Sequence, residues 1–330
     1  MPAETVSSMP SLRDVYRARA RISSHVRRTP LVRSAPLSLL SGSEVHLKLE
    51  TLQDIGAFKL RGAVNRIMTL DDEERRRGVV TMSTGNHGRA VAYAAGRLGV
   101  PAIVCLSELV AGNKVEAIRE LGAEARIIGR SQDEAGEEAL RLVREEGMVL
   151  IPPFDDPAVI AGQGTIGLEL LEDLPDVDEV LVPLSGGGLI AGIALALKSA
   201  DRAIRVVGVS MTRGAAMAAS LAAGHPVAVK EEPTLADSLG GGIGLDNRYT
   251  FELVRRHVDD VLLLDEEEIA DGMRHLYRKE GLVAEGAAAV GVAALIAGRA
   301  GGAGRRIATV ISGRNVDMAS FGAIVAAEST

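Results

Sequence analysis

Residues 78–106 read GVVTMSTGNHGRAVAYAAGRLGVPAIVCL, and this stretch decides the fold. A short β-branched run over 79–83 leads into a Ser/Thr/Gly/Asn loop. An Ala-rich segment with helical spacing covers 89–98, and a second apolar run over 102–106 follows Gly99 and Pro101. Strand, loop, helix and strand in close succession make a βαβ unit, whose crossover is right-handed and whose strands are parallel. The pattern continues outward. A helix over 114–121 ends at Gly122, a strand covers 125–128, a charged amphipathic helix 132–146, and a fourth strand 148–151. Pro152-Pro153 and Asp156-Pro157 mark a passage, and a second series begins beyond them. Its strands are expected over 179–184, 205–210, 261–264 and 307–311, its helices over 189–199, 215–223, 266–280 and 287–297. The sequence therefore predicts an α/β protein of two units, each a parallel sheet flanked by helices.

A chain of 330 residues has room for two such domains. Its formal charge of −7, with both signs mixed along the chain, argues against nucleic acid or an anionic membrane as partner. With four Phe, four Tyr and no Trp, it also lacks the makings of a base-stacking platform. The single cysteine, Cys105, has no partner for an internal disulfide and sits in an apolar run, where it reads as a core residue. The first residues lack a charged-then-apolar leader, and no uncharged apolar run approaches the ~20 residues of a membrane span. A cytoplasmic protein is expected.

Three loops carry chemical possibilities. In Gly56-Ala57-Phe58-Lys59-Leu60-Arg61-Gly62-Ala63, apolar neighbours flank a lysine. Desolvation there would lower its pKa and make it a Schiff-base nucleophile; an exposed lysine on an amphipathic segment fits the same letters. Ser83-Thr84-Gly85-Asn86-His87-Gly88 lies between strand and helix, at the carboxyl edge of a parallel sheet. Backbone N–H groups there suit an anion such as a carboxylate, and the same residues also suit a plain helix cap. His87 invites a general-base reading, although a histidine beside a helix start also serves packing. Ser185-Gly186-Gly187-Gly188-Leu189 again joins strand to helix, and its glycines allow the backbone to wrap a tetrahedral anion. It lacks the Gly-Lys-Ser/Thr ending of a nucleotide-binding loop, and no strand-following G-x-G-x-x-G occurs.

Taken with Ala158-Val159-Ile160-Ala161-Gly162-Gln163-Gly164-Thr165 and Ser312-Gly313-Arg314-Asn315-Val316-Asp317, these motifs resemble the fold-type II pyridoxal-phosphate enzymes. The branch they resemble is that of threonine dehydratases and serine racemases, over almost the whole chain. The resemblance implies a tryptophan-synthase-β-like fold, with 1–73 and 149–330 forming a large cofactor-binding domain and 74–148 a small one. It implies pyridoxal 5'-phosphate as cofactor, with Lys59 as the Schiff-base lysine that later carries protons at Cα. Phe58 would lie against the pyridine ring, Asn86 would bond the ring 3-oxygen, and Ser312 would meet the pyridine nitrogen. Ser185, Gly186, Gly187, Gly188 and Leu189 would hold the phosphate. Ser83, Thr84, Gly85, Asn86 and His87 would take the substrate carboxylate. A neutral hydroxyl at Ser312 does not stabilise a protonated ring, so the electron sink is weak and elimination suits it better than transamination. The activity implied is removal of the β-hydroxyl from a small hydroxy-amino acid, giving a keto acid and ammonia, in a homodimer or homotetramer. An amino-acid racemase on the same scaffold is the nearest alternative, and a non-catalytic binding protein the more distant one.

The chain also departs from the family. Ala57 stands where many relatives have Ser. Thr84 stands where racemases carry Ser and dehydratases Ala, so its hydroxyl is a second candidate catalytic group, able to reprotonate the opposite face. Pro153-Phe154-Asp155-Asp156-Pro157 looks like the dehydratase form. Ser210 and Ala216 replace the carboxylates that bind a divalent cation in racemase-like members, so no metal is expected. The chain stops at Thr330 without the regulatory domain of biosynthetic threonine dehydratases, so feedback by isoleucine is not expected. Ala57, Ser312-Gly313-Arg314-Asn315 and Ser238-Leu239-Gly240-Gly241-Gly242 resemble the dehydratase of bacterial hydroxyectoine utilisation. That narrower likeness implies a hydroxylated diaminobutyrate derivative or hydroxyaspartate as substrate.

Overall fold

A computed structural model describes residues 8–83, 85–110 and 112–327. Thr84 lies outside the described residues. Ten strands occur among those described: β1 (Leu31–Ser34), β2 (Glu44–Leu49), β3 (Val79–Met82), β4 (Ala102–Leu106), β5 (Glu124–Ile127), β6 (Val149–Leu150), β7 (Glu179–Pro183), β8 (Arg205–Met211), β9 (Asp260–Leu264) and β10 (Arg306–Ile311). They form a six-stranded sheet, ordered β1-β2-β10-β7-β8-β9, and a four-stranded sheet, ordered β5-β4-β3-β6. Every neighbouring pair is parallel except β1 with β2. The expected two α/β units with mainly parallel sheets are present. The antiparallel edge β1 is an addition. Its two central residues are exposed, so it has neither the continuous apolar run nor the alternation that marks a strand in sequence. β4, by contrast, is buried at all five residues, as a parallel strand covered on both faces must be.

Helix limits agree best with the sequence where capping chemistry is complete. Helix Gln132–Glu146 starts on a reciprocal box, in which the Ser131 side chain accepts from the Glu134 N–H and Glu134 returns to the Ser131 backbone. It ends at Gly147, whose φ of +68° suits a residue without Cβ. Helix Glu266–Glu280 uses Asp265, Glu268 and Gly281 in the same way.

The helix that begins at Lys59 (Lys59–Met68) is fixed by close backbone approach. It packs on helix Pro157–Asp173, which carries the Ala158–Thr165 motif, and a Cβ on Gly162 would lie 2.6 Å from the Arg61 carbonyl oxygen. That helix in turn meets Gly188–Ala200, where a Cβ on Gly192 would lie 2.3 Å from the Ile160 carbonyl. The glycine-rich motif is thus a packing device that seats the lysine helix against the large sheet.

Candidate active site

Three strand ends converge on one cleft. β3 runs into Ser83 and helix Asn86–Leu98, β7 into Ser185 and helix Gly188–Ala200, and β10 into Ser312. All are carboxyl ends of parallel strands, where open α/β sheets leave their crevices. The cleft encloses a cavity of about 400 Å³. Lys59, Phe58, Ser83, Gly85, Asn86, His87, Ser312 and the Ser185–Leu189 turn all line it. The structure therefore brings together every described residue that the resemblance assigns to cofactor or substrate.

Lys59 opens its helix and directs its amine inward, where Nζ donates to the Pro153 carbonyl at 2.7 Å and stands 5.3 Å from the Phe58 ring centre. Burial lowers its pKa to about 8, against an opposing pull from the Glu285 carboxylate. The segment after β10 is zipped to the segment before Lys59: Phe58 N–H donates to the Ser312 carbonyl at 2.9 Å, and Arg314 N–H to the Gly56 carbonyl at 2.9 Å. Ser312, only 2% exposed, is thereby held in register with the lysine.

The Ser185–Leu189 turn is a bare backbone cradle. Gly187 has φ +90°, and a Cβ on Gly186 would sit 2.4 Å from the Phe154 ring. The turn feeds a helix of 13 residues, whose first N–H groups and dipole favour an anion. A phosphate fits this cradle, as an aldehyde-bearing cofactor fits the desolvated amine of Lys59. Gly186→Ala should force the Phe154 ring aside at a cost of about 1–3 kcal/mol. Cofactor should then be lost more readily on dialysis, with the far-UV circular dichroism unchanged; retention equal to the parent would count against the cradle.

His87 is buried, and its Nε2 lies 2.9 Å from the Ile151 carbonyl oxygen, which makes Nε2 the protonated nitrogen. Burial and the nearby Lys59 lower its pKa to about 3, so it is neutral at physiological pH. A substrate carboxylate would meet backbone N–H groups and a neutral ring rather than an imidazolium charge.

Sequence reading missed Glu285, which lines the cavity and is 4% exposed. The Asn86 side-chain amide donates to both its oxygens, at 2.9 and 3.0 Å, while Asn315 donates to the Asn86 oxygen at 2.7 Å. Gly313 leaves room for it, since a Cβ there would lie 2.5 Å from Glu285 Oε1. A signal existed: Glu285 is the lone charge in the apolar stretch 282–298. Burial raises its carboxyl to about 7, even against the Asn86 hydrogen bond. A group whose pKa is raised on folding contributes stability below its unfolded value, and that contribution is lost as pH rises through the folded value. The Glu285 contribution to the cofactor-free chain should therefore fall between about pH 4.5 and 7. His87, with its lowered pKa, acts in the opposite direction below about pH 6.5. The difference between parent and Glu285→Gln isolates the carboxyl: urea midpoints should favour the variant progressively as pH rises from 5 to 8. A pH-independent difference would show that Glu285 titrates normally.

Residues 22–313 match the model of the family described as pyridoxal-phosphate dependent enzyme. A protein of Sinorhizobium fredii, whose name marks it provisionally as a threonine dehydratase, is 56% identical over 308 residues, covering 93% of each chain. The L-threonine ammonia-lyase of Thermotoga maritima is 45% identical over 310 residues, covering 94% of this chain and 77% of its own. Among solved structures, maize serine racemase superposes with a TM-score of 0.90 at 36% identity, covering 96% of this chain and 97% of its own.

Proposed function

The chain belongs to the pyridoxal-phosphate dependent enzymes, in the branch of threonine dehydratases and serine racemases, and from that premise we propose that it dehydrates a small hydroxy-amino acid, L-threonine first, to a keto acid and ammonia. What supports this reading is the buried Lys59 amine, donating to the Pro153 carbonyl in a cleft that also holds the Ser185–Leu189 turn and Ser83, Gly85, Asn86 and His87, with burial lowering its pKa to about 8. An amine so tuned has a neutral fraction near pH 7 and is the base for the Cα proton. When bound, pyridoxal phosphate supplies the electron withdrawal that acidifies that proton and lets the β-hydroxyl depart. Phe58 packs beside the amine, Asn86 and Ser312 present neutral polar groups, and Ser83, Gly85, Asn86 and His87 orient the carboxylate from the other wall.

The relatives named for threonine outweigh the racemase as guides, because they are the more similar in sequence. On this reading Ser312, a neutral partner for the ring, favours elimination over transamination. The test is a panel of hydroxy-amino acids, with keto acid and ammonia measured beside chiral chromatography of the remaining substrate. Threonine and serine should give keto acid faster than the opposite enantiomer. Racemisation as the faster process would replace this reading with the racemase. Preference for hydroxyaspartate or a hydroxylated diaminobutyrate derivative would support the narrower hydroxyectoine likeness.

A further inference from the structure

Two charges on the cavity wall take no part in the chemistry above. Lys114, on helix Gly112–Glu120 of the four-stranded unit, is exposed and has no hydrogen-bond or ion-pair partner among the described residues. Asp237, on the turn Asp237–Leu239 of the six-stranded unit, is exposed as well. Its carboxylate accepts a single side-chain bond among the described residues, from the neighbouring Ser238 hydroxyl at 3.3 Å. Cation and anion thus stand on different units, each without an ionic partner, around one opening.

On the functional reading given above, a substrate touches both units at once. Its amine end goes to the cofactor that Lys59 would hold on the large unit, and its carboxylate to the loop of Ser83, Gly85, Asn86 and His87 on the small one. Binding therefore pulls the walls together, and closing them excludes water from the reacting centre. We propose that Lys114 and Asp237 then meet as an ion pair across the cleft, closing the side-chain end of the site and selecting a hydroxy-amino acid whose side chain is short and uncharged. A distal ammonium would compete for Asp237 and strand Lys114; a distal carboxylate would do the reverse. Either leaves one charge unpaired in a narrowing site, and discrimination is strong where a polar partner is orphaned.

The pair is tested first by a charge cycle. Lys114→Met and Asp237→Asn should each lower kcat/KM for L-threonine roughly tenfold, which corresponds to about 1.4 kcal/mol. The double variant should be no worse than either single one, and the exchange Lys114→Asp with Asp237→Lys should recover most of the loss. Asp237 also helps raise Glu285, so each variant is measured across pH to separate a displaced profile from a lost pair. The second test needs no turnover. In Lys114→Cys with Asp237→Cys, a short bis-methanethiosulfonate, which links two thiols with loss of sulfinate and restores the reach of the longer side chains, should cross-link faster with L-alanine, which has no β-hydroxyl to lose, than without it. Cys105 does not interfere, being buried with its thiol pushed up to about 11. Additive losses in the cycle, or cross-linking indifferent to L-alanine, would overturn the pair. Absence of keto-acid formation by the parent protein would instead overturn the functional reading on which it rests.

Discussion

Lys59→Ala is expected to abolish turnover, with a loss of at least roughly 10³-fold, within the range that a positioned base and nucleophile contribute. The absorption band of lysine-bound cofactor should vanish with it. The cradle at Ser185–Leu189 is untouched by the change, so pyridoxal phosphate should still bind, non-covalently and more weakly. Among the described residues, the cavity holds one other lysine, Lys114. Lys48 is fully buried and paired with Glu169 at 2.7 Å, and Lys114 stands exposed on the opposite unit. Lys59→Arg should fail as completely, because a guanidinium keeps its proton and cannot attack an aldehyde. Keto-acid release by Lys59→Ala at the parental rate would show that the chemistry lies elsewhere.

What the sequence disclosed about this site follows a physical rule. Strand-loop-helix turns at Ser83 and Ser185 were legible because a parallel α/β fold puts them at one edge of its sheets, whatever their partners. Helices of both units were legible where caps were written into the chain, as at Ser131 and Asp265. Glu285, Lys114 and Asp237 were not identified. Their place in the cavity depends on how Asn86, Gly313 and the two units come together, and no local spacing records that. The first 70 residues were also silent on secondary structure. β1 is a half-exposed edge, and β2 gains its burial from β10, more than 250 residues away. Lys59 itself shows both cases: the letters around it allowed an exposed lysine, and only the carbonyl of Pro153 and the roof of the cleft make it a desolvated amine.

Two residues beyond Lys59, on the same helix, Arg61 should prove as important to stability as Lys59 is to chemistry. Its guanidinium is 1% exposed and grips two carboxylates. Nε and Nη2 donate to the two oxygens of Glu50 at 2.8 and 2.7 Å. Nη1 and Nη2 donate to the two oxygens of Glu169 at 2.6 and 2.9 Å. Lys48 supplies the second cation, with Nζ 2.7 Å from Glu169. Burial by itself would push the Glu50 carboxyl up, yet the Arg61 charge and hydrogen bonds hold it below the ordinary carboxylate range. Arg61→Met removes both bidentate clamps and leaves two anions facing one buried ammonium. Breaking a buried pair from one side costs about 3–5 kcal/mol, a large share of the roughly 5–15 kcal/mol that holds a domain folded. Arg61→Lys should rescue little, since a point charge cannot satisfy two planar carboxylates at once. Adding Glu50→Gln to Arg61→Met should recover part of the loss, because it removes one of the stranded charges. Urea midpoints for the three variants decide the matter. If Arg61→Met unfolds at the parental midpoint, the network is not what seats the lysine helix, and the glycine contacts between the helices must do so alone.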